Sequence, residues 1–121
     1  MFFAAEDFLR LRDRLAARHC HAPLLPGVMP LTTEKVLHKA IELAGVDAPP
    51  KLAGELLRYS DNPRALRAAG IDAAVRLGER LLREGVPALH FYTLNNASTT
   101  RAVVEALRLG RAVSREPAAL T

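Results

Sequence analysis

The chain has 121 residues, of which half are hydrophobic and a quarter charged, so it is suited to a single globular domain with its own core. Its formal net charge of +4 invites a nucleic-acid hypothesis, but the arginines are scattered through helical segments beside acids, which indicates solvated helix faces. There is no apolar run of the roughly 20 residues that span a bilayer, no basic leader and only one cysteine, so we expect a cytoplasmic protein without membrane contact or an internal disulfide.

The first half of the chain predicts a helix, a strand and a second helix. Residues 5–18 carry apolar side chains at helical spacing, with acids near the start and arginine near the end. The stretch "APLLPGVMPL", residues 22–31, is too short and too rich in proline for a helix, so it predicts a strand buried on both faces that opens into a loop. Thr32 or Thr33 can cap the second helix, and Gly45 ends it.

The middle of the chain predicts a short helix and then a long one. Residues 51–58 form the short helix within an otherwise irregular connection. The sequence "SDNP" is a strong start signal, because Asp61 or Asn62 can cap a helix that has proline in its first turn. Apolar residues at helical spacing continue from there to Glu84, and Gly85 ends this amphipathic helix.

The last part of the chain predicts a second strand and a final helix. "PALHFYTL", residues 87–94, is the strand, and Gly110 is expected to stop the helix that follows it. Residues 111–121 have no firm pattern and are expected to be a disordered tail. Three residues can cap the final helix: Asn95, Asn96 and Ser98.

Apolar strands separated by helices predict an α/β fold with a parallel sheet. Two strands, with "MFF" as the end of another, are too few for a complete sheet, so the chain is expected to be part of a larger α/β fold. Reactive residues of such folds lie at the carboxyl ends of strands, which here are "MFF", "PGVMPLTT" and "YTLNNAS". Gly27 either shapes a turn or lets a ligand approach the backbone. Two residues of the last stretch are helix caps that can also hydrogen-bond a polar ligand: Asn95 and Asn96.

Histidines and known motifs give no catalytic or metal site. His19 and His21 flank Cys20, but neighbours in one loop rarely converge on an ion and no second ligand pair follows at a standard spacing. His38 is expected to be exposed on a helix, and His90 to be a hydrogen-bonded structural residue of a buried strand. The sequence has no G-x-G-x-x-G, P-loop, G-x-S-x-G or H-E-x-x-H motif, and no carboxylate pair at two strand ends.

Two stretches of the sequence resemble one enzyme family. "LLREGVPALHFYTLN", residues 81–95, is similar to the last strand of methylenetetrahydrofolate reductases, and "PLLPGVMPL", residues 23–31, is similar to the strand before it. The resemblance covers residues 1–110 in order. It implies a (β/α)8 TIM barrel of which this chain holds the end of strand six ("MFF"), strand seven ("APLLPGVMP"), strand eight ("PALHFYTL") and helix eight.

The resemblance also implies a function. Family members reduce 5,10-methylenetetrahydrofolate to 5-methyltetrahydrofolate with NADH or NADPH through FAD, in the methyl branch of methionine synthesis. The catalytic glutamate, a folate-binding glutamine and most of the FAD site would lie outside this chain, so we expect it to be a fragment that is inactive alone. Its expected partners are folate and either a second copy or a complementing N-terminal barrel segment. The alternatives are a non-catalytic α/β module that associates through an open sheet edge and, less favoured, nucleic-acid binding.

The resemblance places substrate-binding residues after the last strand. Leu94 corresponds to a residue that lines the folate pocket, and Asn95 and Asn96 follow it. Asn96 stands where the family commonly has an arginine that holds the glutamate carboxylate of folate. Val36 and Ala40 stand where the family often has a glutamine and a phenylalanine that face the substrate. The chain is therefore expected to be a divergent member.

Overall fold

The computed structural model of the chain describes residues 1–108. The order of helices and strands predicted from the sequence is confirmed in this part of the chain. The elements are α1 (Ala5–Ala17), β1 (Gly27–Val28), α2 (Glu34–Ala44), α3 (Pro50–Leu57), α4 (Pro63–Arg83), β2 (His90–Phe91) and α5 (Ala97–Ala106).

The two strands are parallel, as predicted, and β1 pairs with β2 with Gly27 opposite His90. The carbonyl oxygens of Pro26 and Val28 accept hydrogen bonds from the backbone amides of His90 and Tyr92, each at 3.0 Å. The carbonyl of Gly27 points the opposite way and accepts from the amide of Phe2 at 3.0 Å. Because alternate carbonyls of a strand face opposite neighbours, β1 lies between "MFF" and β2.

The strands are much shorter than predicted. Residues 22–31 and 87–94 were expected to be strands, but the ladder spans two residues on each side. Prolines at positions 23, 26, 30 and 87 have no amide hydrogen to donate and therefore interrupt the pairing of both stretches.

The core divides into two groups of buried residues. In the first, one face of the short sheet packs against α1, α4 and α5, and Phe8, Val28, Leu81 and Val103 are each 2% exposed or less. The second group joins α2, α3 and the start of α4 to the segment that follows β1. Burial of large apolar side chains of this kind is the main stabilising contribution to such a fold.

Helix ends follow the capping residues that the sequence predicts. The side chains of Thr33, Asn62 and Asn96 accept hydrogen bonds from backbone amides in the first turns of α2, α4 and α5. Gly45 and Gly85 follow α2 and α4 with φ of 68° and 87°, the left-handed conformation that ends many helices. The sequence had left two or three candidates for each N-cap, and one residue is now identified at each.

The end of α5 differs from the prediction. The helix ends at Ala106, and Arg108 has a φ of 59°, so the chain turns into the left-handed region before it reaches Gly110. The predicted stop at Gly110 and the predicted tail, residues 111–121, lie outside the described residues.

Helix α4 is the longest of the described helices, and it connects the two core groups. Its Arg76 donates a hydrogen bond to Glu55 of α3 at 2.7 Å, which raises the pKa of the guanidinium. A Cβ atom at Gly70 would lie 2.0 Å from the carbonyl oxygen of Leu31, so α4 approaches the segment after β1 as closely as glycine allows. Within residues 1–108, no helix combines the length and apolar character needed to cross a membrane.

Candidate functional site

A cleft of about 110 Å³ lies at the carboxyl ends of β1 and β2. The loops that follow two adjacent parallel strands meet there, which is where α/β folds place their binding residues. Two of the three stretches singled out in the sequence, "PGVMPLTT" and "YTLNNAS", contribute to it. The lining residues are Met29, Pro30, Thr32, Val36, Tyr92, Thr93, Leu94, Asn96, Thr99 and Thr100.

The wall formed by the segment after β1 is buried and closely packed. Met29 and Thr32 are 6% and 5% exposed, so this side of the cleft is fixed by the core. A Cβ atom at Gly27 would lie 2.3 Å from Cε2 of Tyr92. The sequence left open whether Gly27 lets a ligand approach the backbone; the group that approaches it is the tyrosine ring.

Leu94 has an unusual combination of backbone and exposure. Its φ is 47° and that of Asn95 is 60°, so two successive residues that are not glycine lie in the left-handed region. Leu94 is also 48% exposed and lines the cleft. A large apolar side chain that is kept exposed on a strained backbone is typical of a binding position. Asn95 is exposed but does not line the cleft.

Asn96 has a structural role and lines the cleft as well. Its Oδ1 accepts hydrogen bonds from the backbone amide of Thr99 at 3.2 Å and from Oγ of Ser98 at 3.0 Å. The side-chain oxygen is therefore used to cap α5, and the amide nitrogen is the group that Asn96 can offer to a ligand.

The two positions on α2 where the resemblance implies other residues facing the substrate have different environments. Val36 lines the cleft and is half-buried. Ala40 is completely buried in the core group that includes Leu37 and does not line the cleft. Only Val36 is in a position to contact a ligand held in this cleft.

The prediction for His90 is wrong. It was expected to be a buried, hydrogen-bonded residue, but it is exposed on β2 and packs edge to face with Tyr92, with ring centroids 5.0 Å apart. Within residues 1–108, β2 has one strand neighbour, and the side chain of His90 lies on the sheet face opposite the core formed with α1, α4 and α5. His38 is exposed as predicted.

The histidines near Cys20 do not form a cluster. His19, Cys20 and His21 are all exposed. Over the described part of the chain, no group of three histidine, cysteine, aspartate or glutamate side chains is arranged to hold a metal ion.

Two threonines were missed by the sequence analysis. The hydroxyl oxygens of Thr99 and Thr100 are buried, and among residues 1–108 neither has a hydrogen-bond partner. Both residues line the cleft from the first turn of α5. The available signal was the "STT" sequence that begins two residues after the capping asparagine, which places polar side chains in the first turn of a helix that starts at a strand end.

The cleft is polar but uncharged. Its ten lining residues include four threonines, one tyrosine and one asparagine, and no acidic or basic residue. Its hydrogen-bonding groups are therefore hydroxyls and an amide, and its apolar surface comes from Met29, Val36 and Leu94.

Comparison with known proteins gives one family. A model described as methylenetetrahydrofolate reductase matches residues 1–108. The 5,10-methylenetetrahydrofolate reductase of Pectobacterium carotovorum subsp. carotovorum is 32% identical over 114 residues, which cover 94% of this chain and 38% of that protein. The corresponding enzyme of Escherichia coli (strain K12) is 31% identical over 106 residues, 88% of this chain and 36% of that protein. Methylenetetrahydrofolate reductase 1 of Schizosaccharomyces pombe is 27% identical over 109 residues, 90% of this chain and 18% of that protein. The chain thus spans well under half the length of these relatives.

Proposed function

Since this chain belongs to the methylenetetrahydrofolate reductase family, we propose that it supplies strands seven and eight of a (β/α)8 barrel and, between them, part of a folate site. The observation that supports this proposal is the cleft at the carboxyl ends of β1 and β2, with Leu94 held exposed at its edge. In a barrel of this type, substrates bind at the face formed by these loops.

The proposed reaction is the reduction of 5,10-methylenetetrahydrofolate to 5-methyltetrahydrofolate by NADH or NADPH in an FAD-dependent enzyme. The residues of this chain bind and orient the folate. Leu94 offers an apolar surface to a flat ring, and the hydroxyl and amide groups of the cleft hydrogen-bond its polar edge. No charged group of the cleft is available to transfer a proton, so the acid-base chemistry is assigned to residues outside this chain.

The cleft does not fit FAD. None of its lining residues is basic, so the cleft has no cation to pair with the diphosphate of FAD. We therefore assign the flavin to the barrel segments that this chain does not contain, and we expect no reductase activity from the chain alone.

The uncovered side of the sheet supports association with further segments. Leu25, just before β1, is 55% exposed, and His90 on β2 is exposed on the sheet face opposite the core. Unpaired strand edges and exposed apolar side chains favour pairing with another segment. In the proposed barrel the missing β/α units, in the same polypeptide or in a partner, cover this face. The second candidate function, a non-catalytic module that associates through the edge of β2, depends on the same observation.

A chimaera tests the proposed function. Residues 1–108 replace the matching stretch of the Escherichia coli relative, and the purified protein is followed by flavin absorbance. We expect NADH to bleach the flavin and methylenetetrahydrofolate to restore its absorbance. The KM for folate should be about 10- to 100-fold above that of the unchanged relative, because Asn96 cannot make the charge-assisted contact of an arginine.

Two controls make the result interpretable. The unchanged relative gives the reference rates, and the relative with the stretch deleted should bind no flavin stably because its barrel is open. A chimaera that binds flavin and is bleached by NADH, yet is not re-oxidised by methylenetetrahydrofolate, would refute the proposed substrate. If the 121-residue chain instead forms a stable dimer in sedimentation experiments and gains no activity in the chimaera, the non-catalytic module is favoured.

A further inference from the structure

The hydroxyl group of Thr99 has no structural explanation within residues 1–108. Thr99 is 4% exposed, and its Oγ1 is buried without a hydrogen-bond partner in this part of the chain. The hydroxyl of the next residue, Thr100, is in the same condition. Such groups are rare because an unpaired buried hydroxyl destabilises the fold, so each requires a reason.

The position of the two hydroxyls supplies a reason. Thr99 and Thr100 both line the cleft. The backbone amide of Thr99 is already bound by Oδ1 of Asn96, so the hydroxyl is the polar group that this residue has left for a ligand. A threonine in a helix populates two χ1 rotamers, so its hydroxyl can turn toward a ligand without any movement of the backbone.

The charge of the cleft determines which ligand group these hydroxyls suit. No acidic or basic side chain lines the cleft, so a carboxylate that entered it would lose its hydration without gaining a cation. The dipole of α5 favours anions at the helix start, but Ala97 and Ser98, which carry the first unpaired amides, are exposed and do not line the cleft. The desolvation of a charge therefore outweighs the dipole here.

We infer that the hydroxyls of Thr99 and Thr100 form a neutral subsite that binds an uncharged carbonyl or amide of the ligand. The cleft selects a flat ligand with such a group and does not select for its carboxylates. This inference takes its ligand class from the proposed function and adds that a glutamate tail contributes little to binding in this cleft.

The test uses two probes that share an aminobenzoyl amide and differ in charge, 4-aminobenzamide and N-(4-aminobenzoyl)-L-glutamate. Each is titrated into the 121-residue chain and followed by the NMR signals of the threonine methyl groups. We expect dissociation constants within about threefold of each other, because neither carboxylate of the second probe meets a cation. A preference of tenfold or more for the glutamate probe, or no saturable binding of either, would overturn the inference.

Variants of Thr99 separate a ligand-binding hydroxyl from a structural one. Thr99→Val should raise the midpoint temperature of thermal unfolding, because it removes an unpaired buried hydroxyl, and should weaken both probes about tenfold. Thr99→Ser keeps the hydroxyl and should keep probe binding. The matched control is Thr33→Val, which removes a hydroxyl that caps α2 at 3.0 Å and should lower the unfolding temperature without changing binding.

Each result has a definite meaning. A Thr99→Val variant that unfolds at a lower temperature, or that binds both probes as well as the unchanged chain, contradicts the inference. Failure of the chimaera to reduce folate while the probes still bind the chain would remove the proposed function and leave the neutral subsite in place. If the chimaera reduces folate but the chain strongly prefers the glutamate probe, the proposed function stands and the neutral subsite is refuted.

Discussion

Replacing Gly70 by alanine tests whether the contact between α4 and the segment after β1 positions the cleft. A Cβ atom at Gly70 would lie 2.0 Å from the carbonyl oxygen of Leu31 and 3.0 Å from the backbone nitrogen of Thr32. Both are backbone atoms of a buried segment, so neither can swing aside as the end of a side chain would. To reach an ordinary contact of 3.4 Å, α4 and this segment must separate by more than 1 Å. Thr32 lines the cleft, so the displacement reaches the site.

Two opposing contributions set the size of the effect. Alanine is favoured over glycine inside a helix by roughly 0.5–1 kcal/mol. Overpacking a buried contact costs about 1–3 kcal/mol, and a backbone obstacle places Gly70 at the upper end of that range. We therefore expect Gly70→Ala to lower the free energy of unfolding by about 2 kcal/mol.

Two other helical glycines serve as matched controls. A Cβ atom at Gly54 in α3 meets nothing within 4 Å, so Gly54→Ala should raise the free energy of unfolding by about 0.5–1 kcal/mol. At Gly78 the nearest atom is Cδ1 of Leu107 at 2.9 Å, the end of a flexible side chain, so the two contributions should nearly cancel.

The assay is urea unfolding of the three variants followed by circular dichroism, with 4-aminobenzamide titrations on the same preparations. The expected order of stability is Gly54→Ala above the unchanged chain, Gly78→Ala close to it and Gly70→Ala below it. If Gly70→Ala proves as stable as Gly54→Ala, the close approach of α4 to the segment after β1 does not exist in solution. This contact would then not be what positions the cleft.

Three further predictions concern the cap of α5, the core and the α3–α4 contact. Asn96→Ala should lower the free energy of unfolding by about 1 kcal/mol, measured by urea unfolding. Asn96→Asp should be about as stable as the unchanged chain, because its carboxylate can still cap α5. Leu81→Ala, at a completely buried position, should cost about 2–5 kcal/mol by the same measurement, and a loss below 1 kcal/mol would contradict the described core. Arg76→Gln removes exposed ion pairs with Glu55 and Asp72 and should cost less than about 1 kcal/mol. The hydrogen bond to Glu55 raises the pKa of Arg76, so the stability that the charged guanidinium contributes is fully present below the ordinary arginine pKa and is lost only above it. The loss of unfolding free energy in Arg76→Gln should therefore be equal at about pH 7 and pH 9.

The features that the sequence predicts well depend on residues close together in the chain. Thr33 and Asn62 cap their helices through amides three residues away, and Gly45 ends α2 by its own backbone freedom. Such contacts can be predicted without knowing the rest of the fold, because the partner lies within one helical turn. Helix positions and the order of elements were accordingly predictable, and each N-cap was predicted to within two or three candidates.

The features that the sequence predicts poorly depend on neighbours that are distant in the chain. The length of a strand is set by what pairs with it, and β2 pairs only with β1 within residues 1–108. The exposure of His90 follows from that arrangement and not from its local sequence, which is apolar on both sides. The unpaired hydroxyl of Thr99 likewise becomes visible only when α5 is placed against the loop after β1.

The stretch "HFYTLN" carries part of the family resemblance, and most of it serves geometry. Phe91 packs into the core, Tyr92 covers Gly27, and Leu94 and Asn95 make the left-handed turn that leads into α5. Apart from the proposed folate contact of Leu94, these roles need no particular ligand, so a family member can keep this stretch while its other substrate contacts change. We propose that the groups that distinguish ligands begin at Asn96, where the cleft is lined by an amide and by threonine hydroxyls and by no cation. Under this proposal, the stretch sets the geometry of the site and the first turn of α5 sets its selectivity for ligands.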